Sequence, residues 1–175
     1  LKGIIHHLTE ECGGNVHDKR VVNITASSVF SDHGFDRNPQ NAVDFNNDDN
    51  RHIFTSKYDS NAWIKYDFKN IRVHPTHYTI KSAKASGPDS GCPRSWRIEA
   101  SNDDSNWKVI DSKQSDSSLN SDYQIHTFTI SGPIGEDESF RYLRLKQLGD
   151  NSQNRNLLSL SCLEYFGSII NKQIK

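Results

Sequence analysis

Residues 95–110 of the chain read SWRIEASNDDSNWKVI, and this stretch predicts two strands joined by one tight turn. Trp96, Ile98 and Ala100 alternate with polar residues, which is the pattern of a strand with one buried face. Residues 102–106 are Asn, Asp and Ser, which favour turns because their side chains bond the local backbone. A strand composition resumes at Trp107, so we expect a β-hairpin with a tryptophan on each arm.

The rest of the chain repeats this pattern of short strands and polar turns. Strands are predicted at 21–28, 63–68, 76–82, 125–130, 140–147 and 157–166, with Pro75 separating the second from the third. Regular spacing of this kind is typical of an all-β sandwich or barrel. The one helix candidate is 1–12, where Ile4, Ile5, Leu8 and Cys12 share a side and two glycines follow. We therefore predict a helix and lead-in at 1–20, one antiparallel β domain at 21–167 and a C-terminal tail at 168–175.

Composition excludes several classes of function. The 175 residues carry a formal net charge of −1 with acids and bases interspersed, which disfavours nucleic acid or an anionic membrane as the partner. No apolar run reaches the roughly 18 residues that a membrane-spanning helix needs. The absence of Met and the start at Leu1 indicate a fragment of a larger protein.

The cysteines indicate the compartment. Cys12, Cys92 and Cys162 cannot all pair within one chain and show no C-x-x-C spacing, so we expect reduced thiols and a cytoplasmic location. The glycosylation triplet at Asn23 leaves an extracellular location as the alternative.

Six stretches, in order, carry a family resemblance. They are NITASS at 23–28, NAVD at 41–44, WIKYDF at 63–68, WRIEASND at 96–103 with Trp107, FRYLRL at 140–145 and LEYFG at 163–167. Together they resemble the coagulation-factor type C, or discoidin, family over roughly 21–167. The resemblance implies a galactose-binding-like jelly-roll sandwich with no catalytic activity. It also implies that the binding loops at one end are 29–57, 83–94 and 149–156, which are the long polar segments of this sequence.

The resemblance also bears on calcium. Sugar-binding members often hold a calcium ion near the first loop, through residues that match Asp44 and Asn46 and a Glu near the C-terminus. Cys162 stands at the position of that Glu, and a thiol is a poor ligand for a cation that prefers oxygen. We therefore expect no cofactor, and calcium at the first loop stays open as the less favoured alternative. His74 and His77 point to opposite faces of a strand, so they would share a zinc ion only if Pro75 kinked the chain.

Ligand contact is predicted for exposed loop residues that carry either an aromatic ring or a group of several hydrogen-bond donors. The set is Phe35, Arg51, His52, Tyr58, Arg94, Asn154 and Arg155. We assign Trp63, Trp96 and Trp107 to the core instead, because strands carry them. Phe30, Phe35 and Phe54 would be the lipid-contacting residues of a phospholipid binder, but they are scattered among acids.

The sequence holds no catalytic motif, neither a nucleophile elbow nor a phosphate loop nor an H-E-x-x-H helix. We therefore predict a non-enzymatic binding module that docks a larger multi-domain protein onto a partner protein. The alternative is a lectin that binds galactose-type carbohydrate.

Overall fold

The computed structural model describes residues 2–46 and 48–171. Helix α1 spans Ile4–Cys12, and a short 3-10 helix spans Pro39–Val43. The strands are β1 Asn23–Ala26, β2 Phe54–Thr55, β3 Trp63–Asp67, β4 Ile71–Ser82, β5 Trp96–Ser101, β6 Lys108–Lys113, β7 Ile125–Thr129, β8 Tyr142–Gln147 and β9 Ser159–Asn171. In the described residues, no helix is long and apolar enough to cross a membrane.

The strands form two antiparallel sheets that pack face to face, which confirms the predicted sandwich. One sheet has the order β1-β3-β8-β5-β6 and the other the order β2-β9-β4-β7. The predicted hairpin is β5 and β6, which pair from Trp96 with Lys113 to Ala100 with Lys108, with a bulge after Ile98. β8 pairs with the other side of β5.

The core fills the space between the two sheets. Trp96, Ile98 and Ala100 are at most 1% exposed, as the alternation of 95–110 predicts. The Trp96 indole donates to the Tyr78 hydroxyl at 2.9 Å, and Tyr78 donates to the Asp111 carboxylate at 2.7 Å. Burial alone would raise the pKa of Asp111, but hydrogen bonds from Lys113, Tyr78 and Ser131 outweigh it and lower the pKa. The core thus contains a polar chain in which each donor has an acceptor.

Two of the three tryptophans lie outside the core, so their predicted assignment was wrong. Ile64 and Tyr66 point inward on β3, and Trp63 therefore shares the outer face with Lys65, whose Nζ lies 5.3 Å from the Trp63 ring centre. Trp107 is half-buried beneath the Arg144 guanidinium, 3.9 Å from its ring centre. Both rings are covered by cations rather than by the opposite sheet.

Pro75 does not separate two strands, in contrast to the prediction. β4 runs through it, with a shift in the pairing with β9 between Pro75 and His77. Gly167 faces Pro75 at φ +144°, and a Cβ at Gly167 would overlap the His74 carbonyl. A bulge and a glycine therefore accommodate a proline inside the sheet. The final strand also continues beyond the predicted 157–166 to Asn171, and residues 172–175 lie outside the described residues.

Helix α1 packs on the outer face of the β9 sheet. Ile4, Ile5 and Leu8 are at most 4% exposed, and the helix ends at Gly13, which has φ +70°. The Glu164 carboxylate accepts the backbone N–H groups of Ile5 and His6 at 2.9 Å each. A side chain of β9 thereby satisfies two of the unpaired donors at the helix N-terminus.

The predicted loop 29–57 contains more structure than its composition suggests. The 3-10 helix lies within it, as does β2, which pairs with β9. Phe54, considered as a lipid-contacting residue, is fully buried in β2. This region covers one open side of the sandwich.

Candidate binding site at the loop end

Three loops meet at the end of the sandwich where β1, β4 and β8 finish. The Ser56 N–H donates to the Leu158 carbonyl at 2.9 Å, and the Asp59 N–H donates to the Asn156 carbonyl at 2.7 Å. The Ser152 N–H donates to the Cys92 carbonyl at 2.9 Å, which joins the second loop to the third. Backbone hydrogen bonds therefore cross-link the end of the first loop to the third loop, and the third loop to the second.

Tyr58 and Arg155 both contact the second loop. The Tyr58 side chain is 55% exposed, and its hydroxyl donates to Asp89 at 2.7 Å. This hydrogen bond and partial burial raise the pKa of Tyr58, so the phenol stays a donor at neutral pH. The Arg155 guanidinium donates to the Gly87 carbonyl at 2.8 Å. Phe30 packs edge-on against Tyr58, with ring centres 6.2 Å apart.

Arg94 holds a fourth loop. Its guanidinium donates to the Asp116 carbonyl at 3.0 Å, the Leu119 carbonyl at 3.2 Å and the Asn120 side chain at 2.6 Å. These contacts fix the polar excursion between β6 and β7 against the loop end. The donors that made Arg94 a candidate for ligand binding are therefore used within the chain.

Arg94 and Asn154 line the same groove, which has a volume of about 440 Å³. Asn154 adopts φ +53°, a left-handed conformation that Asn tolerates, and its N–H donates to the Asn151 carbonyl at 3.0 Å. Hydroxyl, amide and carboxylate groups form the remaining walls, from Ser95, Ser115, Ser117, Asp150, Asn151 and Ser152. The groove is polar and large enough for a sugar ring.

Phe35, Arg51 and His52 form a separate group within the first loop. The Arg51 Nε donates to Asp49 at 3.0 Å, and the His52 ring lies 3.2 Å from the same carboxylate. Hydrogen bonds from Arg51 lower the pKa of Asp49. The Phe35 ring is 40% exposed and lies 4.7 Å from the guanidinium carbon of Arg37.

Arg37 is a residue of this loop that sequence reasoning missed. It is 6% exposed and donates to the Asn50 carbonyl and, at 3.3 Å, to Asp32. Its sequence neighbours are Asp, Asn and Gly, which indicate a solvated turn and give no signal that an arginine is buried there.

The residues around Asp44 do not fit a calcium ion. The Lys81 ammonium donates to the Phe45 carbonyl at 2.9 Å and pairs with the Asp48 carboxylate, so a cation of the chain itself lies beneath this loop. Cys162, next to Lys81 in the β4–β9 pairing, is a buried thiol. Within the described ranges 2–46 and 48–171, no three His, Cys, Asp or Glu side chains group closely enough to hold a metal.

Comparison with known proteins identifies the domain type. The family model of the F5/8 type C domain matches residues 23–160. A stretch of the E3 ubiquitin-protein ligase Ufd4 of Drosophila melanogaster is 28% identical over 116 residues, which are 66% of this chain and 4% of that protein. The chain therefore corresponds to a small part of that relative.

Solved structures of several proteins share the fold. The module CpGH89CBM32-5 from Clostridium perfringens, solved in complex with GalNAc-beta-1,3-galactose, matches with a TM-score of 0.62 and 16% identity, over 85% of this chain and 96% of that one. A fucose binding module of Streptococcus pneumoniae matches with a TM-score of 0.56 and 18% identity, over 83% and 90% of the two chains. At these identities the likeness establishes the fold.

Proposed function

Because the chain belongs to the F5/8 type C domain family, we propose that it is a non-catalytic module whose loop end docks a larger protein onto a partner protein. Domains of this type are typically binding modules without catalytic activity. The similar stretch of Ufd4 is a small part of a far longer chain, which supports a docking role within a larger protein. The three free thiols support a reducing, cytoplasmic setting.

One observation carries this proposal. The Tyr58 hydroxyl and the Arg94 and Arg155 guanidinium groups are bonded within the chain, while aromatic surface remains exposed at Tyr58 and Phe35. Cross-linked loops lose little conformational entropy on binding, and exposed tyrosines are frequent anchors of protein interfaces. A sugar, by contrast, needs several free donors at one point.

Carbohydrate binding is the second candidate, and the polar groove supports it. The groove between Arg94 and Asn154 presents hydroxyl, amide and carboxylate groups at a volume of about 440 Å³. The two structural neighbours named above include one solved with a galactose-containing sugar and one described as a fucose binding module.

The test uses one exposed residue for each candidate and one control. A photo-crosslinking amino acid at position 57, next to Tyr58, captures and identifies a partner protein. The affinity of this partner for the purified domain is then measured. We expect Tyr58→Ala to weaken binding by about 30-fold, the effect of removing an interface anchor. Ile170→Ala is the matched control, because Ile170 is 38% exposed at the far end of β9.

A glycan array, with calcium and with a chelator, distinguishes the second candidate. Binding of galactose-type sugars that Asn154→Ala abolishes would establish the lectin function. Partner binding that survives Tyr58→Ala but is lost in Ile170→Ala would place recognition away from the loop end and contradict the proposal.

A further inference from the structure

A buried lysine, Lys81, lies beneath the first loop. Lys81 lies on β4 and points to the outer face, because Tyr78 and Ile80 point inward. Its side chain is only 6% exposed, and Phe45 and Asp48 of the first loop contact its ammonium group. The ammonium donates to the Phe45 carbonyl at 2.9 Å, pairs with Asp48, and lies 5.2 Å from the Phe45 ring centre.

The neighbouring strand contributes no anionic oxygen at this point. Cys162 is paired in register with Lys81 and is 3% exposed. Burial, together with the nearby Glu164 carboxylate, raises the pKa of the Cys162 thiol, which therefore remains neutral. The Glu164 carboxylate accepts backbone N–H groups of helix α1.

A calcium ion requires six to eight oxygen ligands at about 2.3–2.6 Å. Here a fixed positive charge already binds a carbonyl and a carboxylate of the first loop, and it would repel a divalent ion. The same site has a buried thiol, Cys162, at the position that the family resemblance matches to a Glu of calcium-binding members. Each of these differences disfavours the metal, and Lys81 supplies the charge that the loop oxygens need.

We propose that Lys81 replaces calcium as the cation that fixes the first loop on the sandwich, so that the fold and the loop end are independent of calcium. This inference goes beyond the proposed function, because it holds whether the partner is a protein or a sugar.

The first experiment measures the melting temperature of the unmodified domain in millimolar calcium and in a chelator. We expect the two values to agree within about 1 °C, because a ligand that does not bind the folded state does not stabilise it. A rise of about 5 °C or more in calcium would overturn the proposal. Sensitised terbium luminescence gives a second readout, in which saturable binding would also contradict it.

The second experiment rebuilds the metal site. Lys81→Gln alone should lower the melting temperature by about 3–8 °C, because it removes a buried ammonium group that pairs with Asp48 and donates to the Phe45 carbonyl. Lys84→Gln is the matched control, since Lys84 is exposed on the following loop, and it should leave the melting temperature unchanged.

The double variant K81Q/C162E should bind terbium and gain about 5–10 °C in calcium at about 100 times its Kd. If the double variant is unfolded in chelator, recovery of the fold in calcium supports the proposal. Failure to fold or to bind terbium in calcium counts against it, as does an unchanged melting temperature for Lys81→Gln.

Discussion

Arg94 acts within the chain, through three acceptors of the excursion between β6 and β7. Hydrogen bonds from a charged group are worth about 1.5–3 kcal/mol each. We predict that Arg94→Ala lowers the free energy of unfolding by about 2–4 kcal/mol and speeds hydrogen exchange of residues 114–122. Arg51→Ala, at a guanidinium that is 67% exposed, should change stability by less than about 1 kcal/mol. Equal effects of the two variants would contradict the structural role of Arg94.

Asp67 gives a prediction about pH. Arg141 binds its carboxylate through Nε at 2.7 Å and Nη2 at 3.0 Å. Burial alone would raise the pKa of Asp67. The hydrogen bonds from Arg141 and Lys69 outweigh burial and lower this pKa below its ordinary 3.8. A lowered folded-state pKa contributes stability that is present above the unfolded value and is lost as the pH falls through the folded value.

We therefore expect Asp67→Asn to be less stable than the parent at pH 7, with the difference shrinking progressively below pH 3.8. Urea unfolding at several pH values measures it. A difference that is constant from pH 7 to pH 3 would show that the ion pair is not its cause. Glu138→Gln, at a half-buried ion pair with Lys108, serves for comparison.

At the scale of elements, the start of helix α1 depends on a contact with β9. A Cβ at Gly3 would overlap the Glu164 carboxyl that accepts the first N–H groups of the helix. We predict that Gly3→Ala displaces this carboxyl and costs about 1–2 kcal/mol, with faster exchange of the amides of Ile5 and His6. Gly135→Ala is the control, because its Cβ would meet only ordinary contacts. Unchanged exchange at Ile5 and His6 would contradict the prediction.

Sequence patterns predicted elements wherever the signal was local. The apolar positions Ile4, Ile5 and Leu8 predicted the helix, and the alternation at 96–100 predicted β5. The helix cap was not predictable, because Glu164 is 159 residues from Ile5 along the chain. The partners of Arg94 were hidden for the same reason, since the fold alone brings residues 116–120 to its side.

Composition misled where it conflicted with periodicity. Trp63 is hydrophobic, but side chains alternate between the two faces of a strand, and Trp63 lies on the same face as Lys65 and Asp67. This alternation placed Trp63 on the outer face. The alternation along β4 places Lys81 on the outer face, where an exposed residue is expected, but the first loop covers Lys81 there. A strand pattern predicts which side a residue points to, and it does not predict what lies over that side.

At the scale of the whole molecule, we predict that α1 and the sandwich unfold as one cooperative unit. Leu8 is 4% exposed against the β9 sheet, so Leu8→Ala should cost about 2–4 kcal/mol. Tryptophan fluorescence and far-UV circular dichroism should give coincident transitions, both shifted by the substitution. His7→Ala, at a side chain that is 56% exposed, should leave both transitions in place. A shift seen only in the exchange of helix amides would mean that α1 unfolds independently.

The burial of two thiols has a practical consequence for chemical labelling. Cys92 is fully buried and Cys162 is 3% exposed, and burial raises the pKa of both, so little reactive thiolate is present. Cys12, at the end of α1, is the one cysteine of the three that is partly exposed. A maleimide dye should therefore attach to the native domain at this single point and report on the helix while the sandwich stays unmodified.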